Sequence, residues 1–246
     1  MISCIDLNKY PKRENALSAA FKKFYSQSID FRNSLLSETN KLSDIDSFNN
    51  REAATLILAD ISSEHGLSVH LLAKERCNIS ASSLLRLQFE SLIRAQWIYW
   101  VAKDEVVERF YKPLTQQNAS QAEKRIPTIN VILEDLDSAA REGVVPRRAV
   151  QLMREFKELT MKPANSYVHT GMHAFSRKKD GFPEPLIIQI MQNSNGLEAL
   201  NAMLLATIIN SADMLQKVVA LQYLYMDSLP MHIPEIMNRF YSTRQV

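Results

Sequence analysis

SSLLRLQFESLIRAQWIYWV, residues 82–101, is apolar on nearly every face of a helix, yet it carries Arg86, Glu90 and Arg94. Charges four apart stay on one stripe, which drifts by about 40° per step at 3.6 residues per turn. A helix apolar on its other faces belongs inside a protein. There, charges are costly unless they pair or face a wet cleft. The stripe is therefore either a structural ion-pair ladder or one wall of a functional cleft. In both cases the buried helix needs other helices around it.

The flanking sequence supplies them. Residues 14–40 place Leu17, Ala20, Phe21, Phe24, Tyr25, Ile29, Phe31, Leu35 and Leu36 at helical spacing. Residues 51–74 predict a second long helix, with Gly66 as a weak point. Ser80, Ser82 and Ser83 are candidate caps for the third. A fourth helix is predicted from Asp104 to Pro113. A fifth runs over residues 120–141, bent or divided at Pro127. Pro146 suits the first turn of a helix reaching Met161. Residues 162–185 hold three prolines, two glycines, two histidines and the run Arg177-Lys178-Lys179, and they read as an irregular functional loop. After a short apolar run at 186–191, residues 196–226 predict one strong helix. A tail over 227–246, with Pro230 and Pro234, ends in a short amphipathic helix. No repeat or alternating strand pattern is present. The expected fold is all-α, a single helical bundle of six or more helices spanning 1–246 as one domain.

Composition agrees. The chain is 46% hydrophobic and 23% charged with only 5 Gly in 246 residues, a balance suited to helices. A net charge of +2 neither predicts nor excludes a nucleic-acid partner. Cys4 and Cys77 form no disulfide framework and no zinc spacing, and Cys77 reads as a small buried hydrophobe. MISCIDLNKYPKRENAL lacks the basic start and apolar core of a signal peptide. No apolar run approaches a membrane span, so the expected compartment is the cytoplasm, with no membrane partner.

Several constellations bear on chemistry. Arg86, Glu90 and Arg94 form an anion site if two guanidinium forks are held by one carboxylate. The run from Lys162 to His173, KPANSYVHTGMH, offers Asn165, Ser166, Tyr167, His169 and Thr170 as hydrogen-bonding side chains. His169 and His173 are one helical turn apart, which is also a metal-ligand spacing. Without HExxH or a nearby acidic ligand, no metal and no cofactor is expected. His169 is instead the proton carrier, with His173 as helper, or both are merely histidines bonded in a turn. Arg177-Lys178-Lys179 is either a solvated run or, beside an anion site, an attraction for phosphate, and Arg147, Arg148, Arg154 and Lys157 add positive charge before it. Trp97, Tyr99 and Trp100 interleave with the seam at a spacing that suits core more than base stacking. His65 and His70 do not share a face and read as surface or core residues. No GxSxG, P-loop or GxGxxG motif is present.

Residues 84–100 and 165–177 together resemble a group of bacterial helical domains of unknown function that look related to the HEPN superfamily (higher eukaryotes and prokaryotes nucleotide-binding domains). The resemblance implies a HEPN-like helical bundle, often a homodimer, acting as a metal-independent RNase in toxin–antitoxin or antiphage systems. The HEPN signature is an Arg, a polar residue, then a His after four to six intervening positions. Here no Arg precedes a histidine at that spacing; Lys162, with six residues before His169, comes nearest. The positive charge would then come from Arg86 or Arg94 across the bundle. On this reading His169 moves the proton, Arg86 and Arg94 stabilise charge, and Glu90 holds them. Asn165, Tyr167, Lys162, His173 and Arg177 bind RNA. The expected partners are RNA, a second copy of the chain and an antitoxin. The alternative is a non-catalytic helical module for interaction or ligand sensing.

Overall fold

α1 (Ala19–Thr39) buries Phe21, Phe24, Phe31 and Leu35 along one stripe, as the spacing predicts, but Ser28 and Arg32 lie in that stripe and are buried too. α2 (Asn50–Lys74) starts at a capping box: the Asn49 side chain accepts from the N–H groups of Arg51 and Glu52, and the Glu52 carboxylate accepts from Asn49 N–H. Beyond its end, Arg76 has φ 58°, and Cys77 N–H reaches back to Leu72 O at 2.8 Å. α3 (Asn78–Trp100) therefore folds straight back along α2. The expected serine caps do not form, because Ser82 and Ser83 donate to the carbonyls of Asn78 and Ile79 one turn before them.

The remaining helices are α4 (Asp104–Phe110), α5 (Ile129–Arg141), α6 (Arg147–Val168), α7 (Met172–Asp180), α8 (Glu184–Ile208) and α9 (Ala212–Leu224), followed by a 3-10 turn at Met226–Ser228. The computed structural model describes residues 17–39, 48–113, 115–117 and 126–230. Among them there are nine α-helices and no strand. Cys4, residues 120–125 of the expected fifth helix and residues 231–246 of the expected tail lie outside the described residues, as does the Lys162 side chain. Cys77 is half-buried rather than buried.

Two of the expected segments are corrected. Residues 162–185 are not an irregular loop: α6 continues to Val168, and α7 and the start of α8 occupy most of the rest. Pro163 sits inside α6, where it removes one N–H, but buried Ala164 and Tyr167 hold the turn beyond it. Pro185 occupies the first turn of α8, the position that lacks a helical acceptor anyway. Residues 196–226 are not one helix. Asn210 adopts φ 50°, and the Ser211 side chain accepts from Met214 N–H, so the chain turns between α8 and α9.

α3 is the axis of the main core. Leu85, Phe89, Leu92, Ile93 and Ile98 are fully or nearly fully buried against α2, α5, α6 and α8, and Phe89 stacks on Phe156 with ring centroids 4.8 Å apart. Beside this core lies a polar one. Arg32 Nη1 donates to Glu198 Oε2 at 2.8 Å, and Arg32 Nη2 to Ser63 O at 3.0 Å. Ser63 Oγ donates to the second Glu198 oxygen and accepts from Asn201 Nδ2. Gln88 and Ser194 exchange two bonds, Nε2 to Ser194 O at 3.0 Å and Ser194 Oγ to Oε1 at 2.7 Å. A Cβ on Gly66 would lie 2.5 Å from Gln88 Nε2 and 2.8 Å from Arg32 Nη1. Gly66 is thus a point of close approach, not a weak point.

His70, expected to be surface or core, is fully buried. Its Nδ1–H donates to Gly66 O, which fixes Nε2 as acceptor from Ser28 Oγ, both at 2.8 Å. Asn195 Nδ2 donates in turn to Ser28 Oγ at 2.6 Å. Burial first, and the Arg32 charge second, push the imidazole pKa from 6.5 down to about 3. Folded His70 therefore stays neutral where the unfolded chain binds a proton. Its contribution to stability is complete above pH 6.5 and is lost progressively as pH falls toward 3. Urea unfolding at pH 7 and pH 5 should show the wild type losing about 2 kcal/mol more than His70→Gln over that interval. Equal losses in the two proteins would rule out this linkage.

Candidate functional site

The imidazole expected to carry protons is mounted on the turn between α6 and α7. α6 ends at Val168, His169 follows as its cap, and Thr170 takes φ 53°. Gly171 N–H then returns to Ser166 O at 2.7 Å. Ser166 Oγ accepts from His173 N–H at 3.0 Å and so ties the first turn of α7 to the last turn of α6. A Cβ on Gly171 would lie 2.6 Å from Ser166 Oγ, which explains the glycine. Tyr167 is buried beneath the turn, its ring 6.4 Å from His173 and 6.0 Å from Phe182.

This turn meets α3. Arg86 Nη1 lies 3.4 Å from His169 Nε2. A guanidinium has no acceptor, so in this contact Arg86 donates and Nε2 carries the lone pair. Arg86 Nε also donates to Glu90 Oε1 at 2.7 Å, and Arg94 Nη2 donates to Glu90 Oε2 at 3.4 Å. The three seam residues are half-buried, and His169 is exposed. The seam is thus an ion-pair ladder whose Arg86 end opens on an imidazole. Two guanidinium groups share one carboxylate, which leaves one positive charge over. Arg94 Nε is buried with no hydrogen-bond partner, a state that costs free energy unless something supplies an acceptor.

The expected site residues are not all brought together. Arg86, Glu90 and His169 form one connected group. Arg94 stands eight residues from Arg86, about 12 Å along the helix axis, and joins the group through Glu90. Asn165 and His173 are exposed beside the turn, and Arg177 is half-buried. Tyr167 departs from its expected role of touching phosphate, since its ring is packed under His173. Burial pushes its phenol pKa up, with Arg177 opposing. Trp97 and Trp100 donate to Asp135 and Gln96 within the bundle, so they form no outward stacking face. Among the described residues no three His, Cys, Asp or Glu side chains form a group able to hold a metal.

The sequence reading passed over Ser166 as the pin of the turn and Phe175 as an exposed aromatic. The signal for Ser166 was a serine five residues before a glycine at a helix end. An open cleft of about 390 Å³ lies apart from the seam, between α5 and α6, lined by Asp137, Arg141, Arg147, Arg154 and Glu155 among others. Asp137 pairs with Arg141 and Arg154, each at 3.0 Å, and its carboxyl is held below the usual range chiefly by the Arg141 hydrogen bond.

The turn that mounts His169 is open to a double-mutant cycle. Ser166→Ala should cost about 1 kcal/mol by loss of its bond to His173 N–H. Gly171→Ala should cost more alone than in the Ser166→Ala background, where the clash with Oγ is gone. Urea unfolding of the four proteins measures this, and strict additivity would contradict the geometry.

Comparisons with curated proteins and with solved structures find no match. Family models match residues 59–231 to a family of unknown function, DUF6988. The matched stretch runs from within α2 past the end of α9 and contains the whole of α3 and the His169 turn. It covers more than half of the chain, and the protein therefore belongs to the DUF6988 family.

Proposed function

We propose that this chain is a HEPN-like, metal-independent endoribonuclease that acts as a bacterial toxin or antiphage effector. The observation that carries the reading is the 3.4 Å approach of Arg86 Nη1 to His169 Nε2. It joins a fixed cation to a proton carrier at an exposed position, the pair that phosphodiester transfer needs. A phosphate entering between them takes the Arg86 N–H donors and frees the Nε2 lone pair. His169 then accepts the ribose 2′-hydroxyl proton as the 2′-oxygen attacks phosphorus. The P–O5′ bond breaks, and His173 returns a proton to the departing 5′-oxygen. The products are a 2′,3′-cyclic phosphate and a free 5′-hydroxyl.

Glu90 holds the Arg86 fork in place by its bond to Nε. Arg94, half-buried further along the seam, adds charge, so it serves the next phosphate of a strand better than the one being cut. Asn165 and Arg177 flank the turn and complete the phosphate contacts. Lys162 precedes the turn in sequence where the HEPN signature has its Arg.

A second reading, a non-catalytic interaction or sensing module, draws support from Ile57, Ile61, Leu67 and Leu71, exposed along one face of α2. A second copy or an antitoxin belongs to that reading as much as to the first.

Purified protein incubated with total RNA in EDTA should yield fragments ending in 2′,3′-cyclic phosphate. His169→Ala should lower the rate by about 100-fold or more. Arg86→Lys, which keeps the charge but not the fork, should fall between. Cleavage that disappears on adding EDTA would refute the metal-free mechanism. Cleavage by His169→Ala at the wild-type rate would refute the site.

A further inference from the structure

α7 is held to the bundle by little: Ala174 is its one buried residue among the nine from Met172 to Asp180. Its pins are the Ser166 bond to His173 N–H and the Tyr167 ring under His173. What it presents outward is unusual for a surface helix. Met172 is 75% exposed and Phe175 61% exposed, three residues apart and so on one face. The Phe175 ring makes no ring contact with another described residue. Arg177, Lys178 and Lys179 follow within the next turn, and Asp180 is the helix's one acidic residue. At the start of the same helix, His173 adjoins the turn that carries His169 against Arg86. An open aromatic face thus lies between an imidazole–guanidinium pair and a cationic run.

We propose that α7 is the reader of an unpaired nucleotide. Phe175 stacks one base of a single strand, Met172 borders that base, and Lys179, four residues on and on the same face, takes the phosphate on the far side. The occupant is fixed by charge and by shape. The cations at both ends of the face call for a polyanion. A single aromatic ring adds to binding only where a base face is open, which a duplex does not offer. Of the aromatic side chains near the seam, Trp97 is buried and half-buried Tyr99 and Trp100 pack edge-on against each other, whereas Phe175 has its ring largely open. This inference rests on the nucleic-acid reading of the site, and it specifies single strands as the substrate class.

The test is fluorescence anisotropy with a labelled 2′-O-methyl RNA strand, which has no free 2′-hydroxyl and cannot be cut, and with the same strand as a duplex. The wild type should bind the strand more tightly than the duplex. Phe175→Ala should weaken strand binding by about tenfold and leave duplex binding unchanged, and Phe175→Trp should restore it. Lys179→Gln should flatten the salt dependence for both ligands. Phe175 is largely solvent-facing, and thermal unfolding should show its variants folded as well as the wild type. Strand binding unaffected by Phe175→Ala would overturn the proposal. So would an equal loss for strand and duplex. A Phe175-dependent change in sedimentation of the free protein, or Phe175-dependent binding to phosphatidylserine vesicles without an effect on RNA, would overturn it in favour of self-association or a membrane surface. Failure of the nuclease reading is separable: Phe175-dependent strand binding without cleavage of ordinary RNA removes the catalysis and keeps the reader. Cleavage that survives with Phe175-independent binding does the reverse.

Discussion

The buried pairing of Arg32 with Glu198 is the constraint from which the arrangement of the bundle follows. These residues are 166 positions apart, on α1 and α8, and both charges are almost wholly out of solvent. Removing one partner from such a pair costs about 3–5 kcal/mol, because the other charge is left unpaired. α1 and α8 can therefore meet only in the register that brings these two side chains together. Ser63 donates to the second carboxylate oxygen and Asn201 donates to Ser63 in turn, so α2 is locked to the same register. The apolar contacts around α1 would tolerate a small slide, but the ion pair would not. Once α2 is fixed, the short turn at Arg76 and Cys77 fixes α3, and with it the direction in which Arg86 points.

His70 carries the same logic with a neutral group. Its two ring nitrogens are both used, one as donor to Gly66 O and one as acceptor from Ser28, so the ring has one tautomer and one orientation. A charged imidazole would have to reverse the Ser28 bond, which takes from the Ser28 hydroxyl its acceptor, and face Arg32. The polar core therefore specifies geometry through buried groups, which separates it from the pair of Arg86 and His169, where the imidazole is exposed.

Much of this was open to a reader of the sequence, and the parts that were not share a cause. The all-helical architecture and the seam on α3 were legible because they are local: periodicity and a spacing of four are contained in one segment. The α8–α9 turn was hidden because the apolar pattern continues across it, and only Asn210 next to Ser211 marks the place where the backbone reverses. Residues 162–185 misled because proline was taken as a sign of irregular chain. Pro185 in fact starts a helix, and Pro163 is tolerated inside one whose neighbours are buried. The polar core was illegible because Ser28, Arg32, His70, Gln88, Asn195 and Glu198 come from four helices. Its trace in the sequence was slight: Ser28 and Arg32 occupy positions that the stripe of Phe21, Phe24, Phe31 and Leu35 reserves for apolar side chains.

The candidate site combines two supports of unequal stiffness, and that difference bears on what it does. Arg86 and Glu90 stand on α3, whose apolar faces are packed on several sides and leave little room for motion. His169 stands at the end of α6, on a turn whose positive-φ residue and single serine pin make it easier to shift than a core helix. The imidazole accepts a bond from Arg86, so acceptor and donor satisfy each other. On the proposed nuclease reading, a phosphate competes for the Arg86 donors, and the side that gives way is the turn. The cation then stays where the bundle put it, while the imidazole is released with its lone pair free. A site in which both groups sat on rigid helices would hold this pair closed. One with both on loops would not hold the cation in place as charge develops on the phosphate.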